Sequence, residues 1–226
     1  MFYQYLNTIT FFLIDMNCKH FTENLLEAGI DEVARGCLAG PVYAAAVIMP
    51  RDTLEATPYI LRDSKKVNRE KRNVLRDYIE ENAIDFSVAS VDNHTIDKIN
   101  ILNASHLAMH RALENLNVEP EFLLVDGHRF DPYFNANGEL IEHKCFVGGD
   151  DLYTSISAAS ILAKVYHDNY IDALLEEKPQ LKIYEWDRNM CYGTKGHLDA
   201  IRENGISEYH RKTFGLCKTA KLNKNL

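Results

Sequence analysis

With 226 residues, 46% of them hydrophobic and 26% charged, and no repeats or Pro- or Gly/Ser-rich stretches, the chain is no disordered segment or repeat array and can bury one sizeable core. Five scattered cysteines, odd in number and never spaced as C-x-x-C, exclude a disulfide framework and a thiolate zinc site and predict a reducing, cytoplasmic setting. A net charge of −8 excludes a uniformly basic duplex binder, since duplex affinity comes from neutralised phosphates, so nucleic acid would have to meet local basic clusters.

The apolar stretch Ile9 to Ile14 is too short for a signal peptide and follows no Lys or Arg, so residues 1–26 are expected to form an extension partly outside the core. Glu27 to Val33 reads as a strand, Gly40-Pro41 breaks it, and Val42 to Met49 is a second, buried strand. Arg62, Lys65, Lys66, Arg69, Lys71 and Arg72 form one basic run, which is as compatible with a solvated face as with a ligand. Within it Asn68 can cap a helix whose stripe is Val74, Leu75, Tyr78 and Ile79, and Ile84, Phe86 and Val88 then alternate as a strand.

Asp92 can cap one long helix with Leu102, His106, Met109, Leu113 and Leu116 on its buried face. His106 and His110 have the spacing of a helical metal pair, but no third ligand accompanies them. Phe122 to Val125 is an apolar strand ending at Asp126-Gly127, and Asn137-Gly138 marks a hairpin turn before Gly149. A helix rich in small residues is expected from Asp151 to Lys178, ahead of Pro179. The order of strands, then alternating helices and strands, predicts an α/β fold: a mixed sheet flanked by helices over residues 27–180, with a small helical appendage over 181–226 that ends in the basic residues Arg211, Lys212, Lys218, Lys221 and Lys224.

Carboxylates stand at costly places. Asp31 and Glu32 are adjacent in an apolar strand, Asp126 ends another, and Asp168 lies within a largely apolar helix. Oxygen ligands without His or Cys select hard cations, so a converging cluster would hold Mg²⁺ or Mn²⁺ for phosphodiester chemistry. Each acid also has an ordinary explanation: Asp126 as a turn residue, Asp168 paired with Lys164 one helical turn away, and Asp31-Glu32 at an exposed strand end.

The string from Gly29 to Val42, G-I-D-E-V-A-R-G-C-L-A-G-P-V, closely resembles the opening motif of ribonuclease HII. Asp63-Ser64-Lys65-Lys66, Ile99 to Ser105, Asp126-Gly127, Ser160 to Asp168, Tyr192 to His197 and His210 to Phe214 resemble its later motifs in the same order, so the likeness runs from about Ala28 to Gly215. The resemblance implies a ribonuclease H-like fold and an endonuclease acting on RNA–DNA hybrids and on ribonucleotides embedded in duplex DNA. It would cut 5′ to the ribonucleotide and leave 5′-phosphate and 3′-hydroxyl ends, with Asp31, Glu32, Asp126 and Asp168 holding two divalent ions. It implies ribose reading by Ala34, Arg35, Gly36 and Tyr192, with Ser64, Lys65 and Thr194 contacting the nucleic-acid backbone. A monomer without membrane contact is expected.

Three positions depart from the family pattern: Ala34 and Cys191 stand where it has Gly, and His167 where it has Arg. Ala34 is expected to take an ordinary φ with its methyl turned from the nucleic acid, so that Ala34→Gly changes little. Tyr192 in its motif and the short segment before Gly29 favour HII over ribonuclease HIII. A non-catalytic binding module or a junction resolvase would be told apart by assaying cleavage of ribose-containing and branched all-DNA substrates side by side.

Overall fold

Strand β1 (Glu27–Val33) lies at the centre of a five-stranded mixed sheet in the computed structural model, which describes residues 20–51 and 68–226. It pairs antiparallel with β2 (Val42–Ile48), which pairs antiparallel with β3 (Asp85–Val91). On its other side it runs parallel to β4 (Phe122–Asp126), which runs parallel to a strand at His143–Phe146. Between the last two, Tyr133–Phe134 (β5) and Leu140–Ile141 (β6) form a separate hairpin around the expected Asn137-Gly138 turn, so the edge strand is β7.

The two faces of the sheet are covered by different helices. Ala28 and Ile30 of β1, with Val42, Ala44, Ala46 and Ile48 of β2, pack with Ile96, Ala104, Ala108 and Met109. Val33, Ala45 and Val47 pack on the opposite side with Leu75, Ile79 and the long helix at Thr154–Glu177. That helix approaches β1 so closely that a Cβ on Gly29 would stand 2.1 Å from the backbone carbon of Ser155, a contact only glycine permits.

Local chemistry explains the element boundaries. Asn68 caps α1 (Arg69–Asn82) by accepting from the Lys71 N–H, but of the expected stripe Val74 is 46% exposed, and only Leu75 and Ile79 are buried. The single long helix expected after Asp92 is two helices, α2 (Asn93–Ile99) and α3 (Ile101–Glu114). Asn100 at φ 66° breaks the run, and its side chain caps α3 by accepting from the Leu102 and Asn103 N–H groups. The small-residue helix, α4 (Thr154–Glu177), starts three residues later than expected, because Gly149–Asp151 form a 3₁₀ turn.

Residues 181–226 carry α5 (Trp186–Asn189) and α6 (Lys195–Asn204), and they share a core with the sheet: Leu181, Tyr184, Trp186, Cys191, Ile201 and Cys217 pack in the cluster that holds Val33 and α4. Arg211, one of the basic residues expected to end the appendage, is fully buried. Among the described residues no helix is long and apolar enough to cross a membrane.

Candidate active site

The parallel register places Ile30 beside Val125, so the next residues, Asp31 and Asp126, stand together at the carboxyl ends of β1 and β4. Strand alternation directs both toward α4, and carboxyl ends of parallel strands are where α/β sheets build their sites. β7 ends beside Asp126, its Phe146 in register with that residue, and delivers a third acid. Gly148, at φ 70°, turns the chain into the 3₁₀ segment, the Gly149 N–H donates to Asp126 Oδ1 at 2.8 Å, and Ser157 Oγ donates to the Asp150 carbonyl. Asp150 is thus fixed close enough to act on Asp31 electrostatically.

Asp31 is 6% exposed. Burial, together with the like charges of Glu32, Asp126 and Asp150, pushes its carboxyl well above the usual carboxylate range, and a hydrogen bond from Ser160 only partly opposes this. Burial also raises Glu32, although Arg35 donates to it at 2.9 Å. The sequence pattern therefore brings Asp31, Glu32 and Asp126 together. It missed Asp150, whose signal was available in the run Gly148-Gly149-Asp150-Asp151 directly after a strand and before the small-residue helix.

Asp168 is engaged elsewhere. Lys164 Nζ lies 2.7 Å and His167 Nδ1 3.0 Å from its Oδ1, and Arg72 Nη2 lies 3.4 Å from its Oδ2, so the pairing with Lys164 weighed from the sequence is the one formed. Burial alone would raise this carboxyl, but His167 and Lys164 hold it below the usual range. With the Arg69–Asp172 ion pair, the Arg72–Asp168 contact ties α1 to α4, which assigns two members of the first basic run to packing.

The segment following β1 is packed against Tyr192. Tyr192 packs its ring beside Gly36, where an added Cβ would lie 3.8 Å from Tyr192 Cε1, and its hydroxyl bonds the backbone of Ala34 and the thiol of Cys37. Burial pushes this phenol up. Arg35 and Gly36 remain exposed. Lys164 Nζ, paired with Asp168, stands 5.9 Å from the Tyr192 ring centroid. Thr194 is exposed, and its hydroxyl caps α6 by accepting from the His197 N–H at 3.4 Å. Ser64 and Lys65 lie outside the described residues.

The family model for ribonuclease HII matches residues 28–217. The chain belongs to the ribonuclease HII family. It is 48% identical over 210 residues to ribonuclease HII of Bacteroides thetaiotaomicron, spanning 93% of this chain and 100% of that one. The ribonuclease H2 structure from Pyrococcus horikoshii OT3 shares the fold at a TM-score of 0.66 and 22% identity, over 85% of this chain and 95% of that one. Bst-RNase HIII in complex with Mn²⁺ aligns at 0.61 and 21% identity, over 85% and 68%. The chain is accordingly a nuclease of the ribonuclease HII type, an endoribonuclease acting on RNA–DNA hybrids, on the ribonuclease H-like sheet expected from its motifs.

Two departures from the ribonuclease HII pattern share one backbone property. Ala34 has φ 72° and Cys191 φ 67°, both in the left-handed region that glycine adopts freely. The ordinary φ expected at Ala34 is therefore wrong, whereas its methyl is buried in the core, away from solvent. A buried alanine of ordinary φ loses about 1–2 kcal/mol on replacement by glycine, through the methyl and chain entropy. Here relief of about 1 kcal/mol of left-handed strain offsets most of that. Ala34→Gly should thus lower stability by no more than about 1 kcal/mol, within about 4 °C in Tm for a chain of this size. A loss above about 1.5 kcal/mol in denaturant unfolding would show that the strain is absent.

Proposed function

We propose that this ribonuclease HII cleaves on the 5′ side of ribonucleotides embedded in duplex DNA, as well as within the RNA strand of hybrids, and leaves 3′-hydroxyl and 5′-phosphate ends. One observation carries the reading: Asp31 and Glu32, at the end of β1 beside Asp126 of β4, run on through Val33 into the Ala34–Gly36 segment, against which Tyr192 is packed.

Asp31, Glu32, Asp126 and Asp150 are the residues that would hold divalent ions. Among the described residues no three or more His, Cys, Asp or Glu side chains are gathered as a ready metal site, so Mg²⁺ or Mn²⁺ would need substrate phosphate to complete its coordination. The fit rests on Asp31, a buried acid among like charges that a cation would relieve. Bound there, two ions would activate water and stabilise charge on the leaving oxygen. Glu32 is oriented by Arg35 and Asp126 by the Gly149 N–H, so both acids are set before substrate arrives. The exposed residues Arg35 and Gly36, with the Tyr192 ring, would contact the ribose, whose 2′-hydroxyl separates RNA from DNA. Lys164, Ser64, Lys65 and Thr194 would meet phosphates, which position the duplex without reading it.

The test compares a duplex with one ribonucleotide, a long hybrid, plain duplex DNA and a branched all-DNA substrate, each with Mg²⁺ or Mn²⁺. Cleavage of the first two alone is expected. Tyr192→Ala should lower kcat/KM on the single-ribonucleotide duplex about a hundredfold while changing plain-duplex affinity less than about threefold. Equal losses would assign Tyr192 to the general surface, and cutting of the all-DNA branch would remove ribose reading from the function.

A further inference from the structure

His197 and His210 are buried in contact with one another, far into the C-terminal region, and their hydrogen bonds fix both tautomers. The Ser207 N–H can only donate, and it lies 3.0 Å from His210 Nδ1, so the His210 proton resides on Nε2. That proton faces His197 Nε2 at 3.1 Å, which also accepts from Trp186 Nε1 at 3.1 Å. The His197 proton is therefore on Nδ1, 3.0 Å from the Tyr192 carbonyl. Burial pushes His210 down to about 3 and lowers His197, which keeps this arrangement neutral through the physiological range. The chain of donors from Ser207 thus ends on the backbone of Tyr192, whose ring packs beside Gly36.

The next residue serves the segment on which Tyr192 packs. Arg211, also fully buried, donates from Nε to the Gly40 carbonyl at 2.9 Å, from Nη1 to Arg35 at 3.0 Å and from Nη2 to Pro41 at 3.1 Å. Its guanidinium spends its charge on three carbonyls of the segment that follows β1. Bridges between Ala39 and His210 and between Cys37 and Tyr192 join the two segments directly.

We propose that His210 and Arg211 form a two-way clamp that sets the register of the two packed walls of the ribose-reading surface: His210, through His197, holds the Tyr192 wall, and Arg211 holds the Arg35 wall against which Tyr192 packs. This rests on the reading that Tyr192 and the Ala34–Gly36 segment contact the ribose. His197, His210 and Arg211 are positioning residues, and a fixed donor network is how a site keeps the sub-ångström tolerance that catalysis demands. The device is one-sided in chemistry: it grips main-chain carbonyls only, so it constrains where the walls lie and leaves the reading groups free.

The test is a double-mutant cycle on a duplex containing one ribonucleotide. His197→Gln carries its amide to the Nε2 position and leaves the Tyr192 carbonyl only the Thr194 N–H, at 2.8 Å, as donor, whereas His197→Asn retains an N–H where Nδ1 stood. His197→Gln should lower kcat/KM about tenfold with plain-duplex affinity unchanged, and His197→Asn should recover most of that loss. In a Tyr192→Ala background the same His197→Gln change should cost less than about twofold, because the ring it positions is gone. A full tenfold loss persisting in that background would overturn the clamp and leave the ribose-reading assignment intact. A Tyr192→Ala enzyme as active as the parent would overturn that assignment, and the clamp with it. Arg211→Lys, which keeps the cation but reaches fewer carbonyls, tests the other wall should His197→Gln not fold: about tenfold less ribose-directed cleavage at unchanged plain-duplex affinity is expected, and a parallel fall in both would overturn the proposal.

Discussion

Asp31→Asn should cut no substrate at a measurable rate, yet unfold at a higher temperature than the parent protein in EDTA. The loss of cleavage should be about a thousandfold or more, some 4 kcal/mol of transition-state stabilisation, because an amide removes one charge from an oxygen-only cation site. The gain in stability follows from the same burial that makes the site work. Burial and the neighbouring acids Glu32, Asp126 and Asp150 raise the Asp31 carboxyl well above its ordinary value, so the folded state favours the protonated form. The cost of ionising it is absent below the unfolded carboxylate range near ~4, grows as pH rises through that range, and is complete once pH passes the raised folded value. Asparagine retains an oxygen to accept from Ser160 and carries no charge, so at neutral pH it should stabilise the metal-free protein by about 1 kcal/mol or more, roughly 2–4 °C. The difference should shrink as the pH is lowered toward ~4. In excess Mg²⁺ the order should reverse, since only the parent gains the linkage term of a ligand bound to the folded state. Thermal unfolding with EDTA and with Mg²⁺, at two pH values, checks all three. An Asp31→Asn protein that responds to Mg²⁺ as the parent does would remove Asp31 from the metal site.

Asp150→Asn and Asp168→Asn should fail in opposite ways. Asp150 acts on Asp31 across the sheet edge and is fixed by the turn after β7, so its amide variant should resemble Asp31→Asn: folded, and about a thousandfold slower. Asp168 joins Lys164, His167 and Arg72, so neutralising it strands buried cations and should cost about 3 kcal/mol of stability. Its kcat per folded molecule should fall less than about tenfold, as for a group that acts through others. Denaturant melts paired with single-turnover rates separate the two. An Asp168→Asn enzyme of parental stability and no activity would return Asp168 to the chemistry.

Strand-end acids were legible in the sequence because they violate a strong rule: carboxylates in an apolar strand need a reason, and Asp31 and Asp126 each broke an otherwise buried run. Asp150 broke no such rule. It follows two glycines in a polar turn, where aspartate is ordinary, and only the parallel pairing of β4 with β7 brings that turn beside Asp126. Asp168 looked anomalous along the chain, and the reason for its burial is partly 96 residues away at Arg72. Arg211 misled for the converse reason, since a basic tail reads as surface until its three carbonyl partners, from a segment some 170 residues earlier, are in place. The helix break at Asn100 was hidden because apolar spacing on both sides continues one stripe, and the positive φ that interrupts it leaves no mark in periodicity. Local pattern recovered elements and caps, and what it could not recover were the long-range partners.

The contact between Gly29 and the Ser155 backbone has a reach beyond packing. Ser157 and Ser160, which hold the Asp150 carbonyl and the Asp31 carboxyl, lie two and five residues further along the same rigid helix. A single methyl at Gly29 would lever α4 off the sheet at a point where no side chain can yield, and both serines would move with it. A lesion in the hydrophobic interior, touching no charged group, would then present itself as a defect in cation affinity, with the fold's hinge point and the chemistry's fulcrum being the same hydrogen atom.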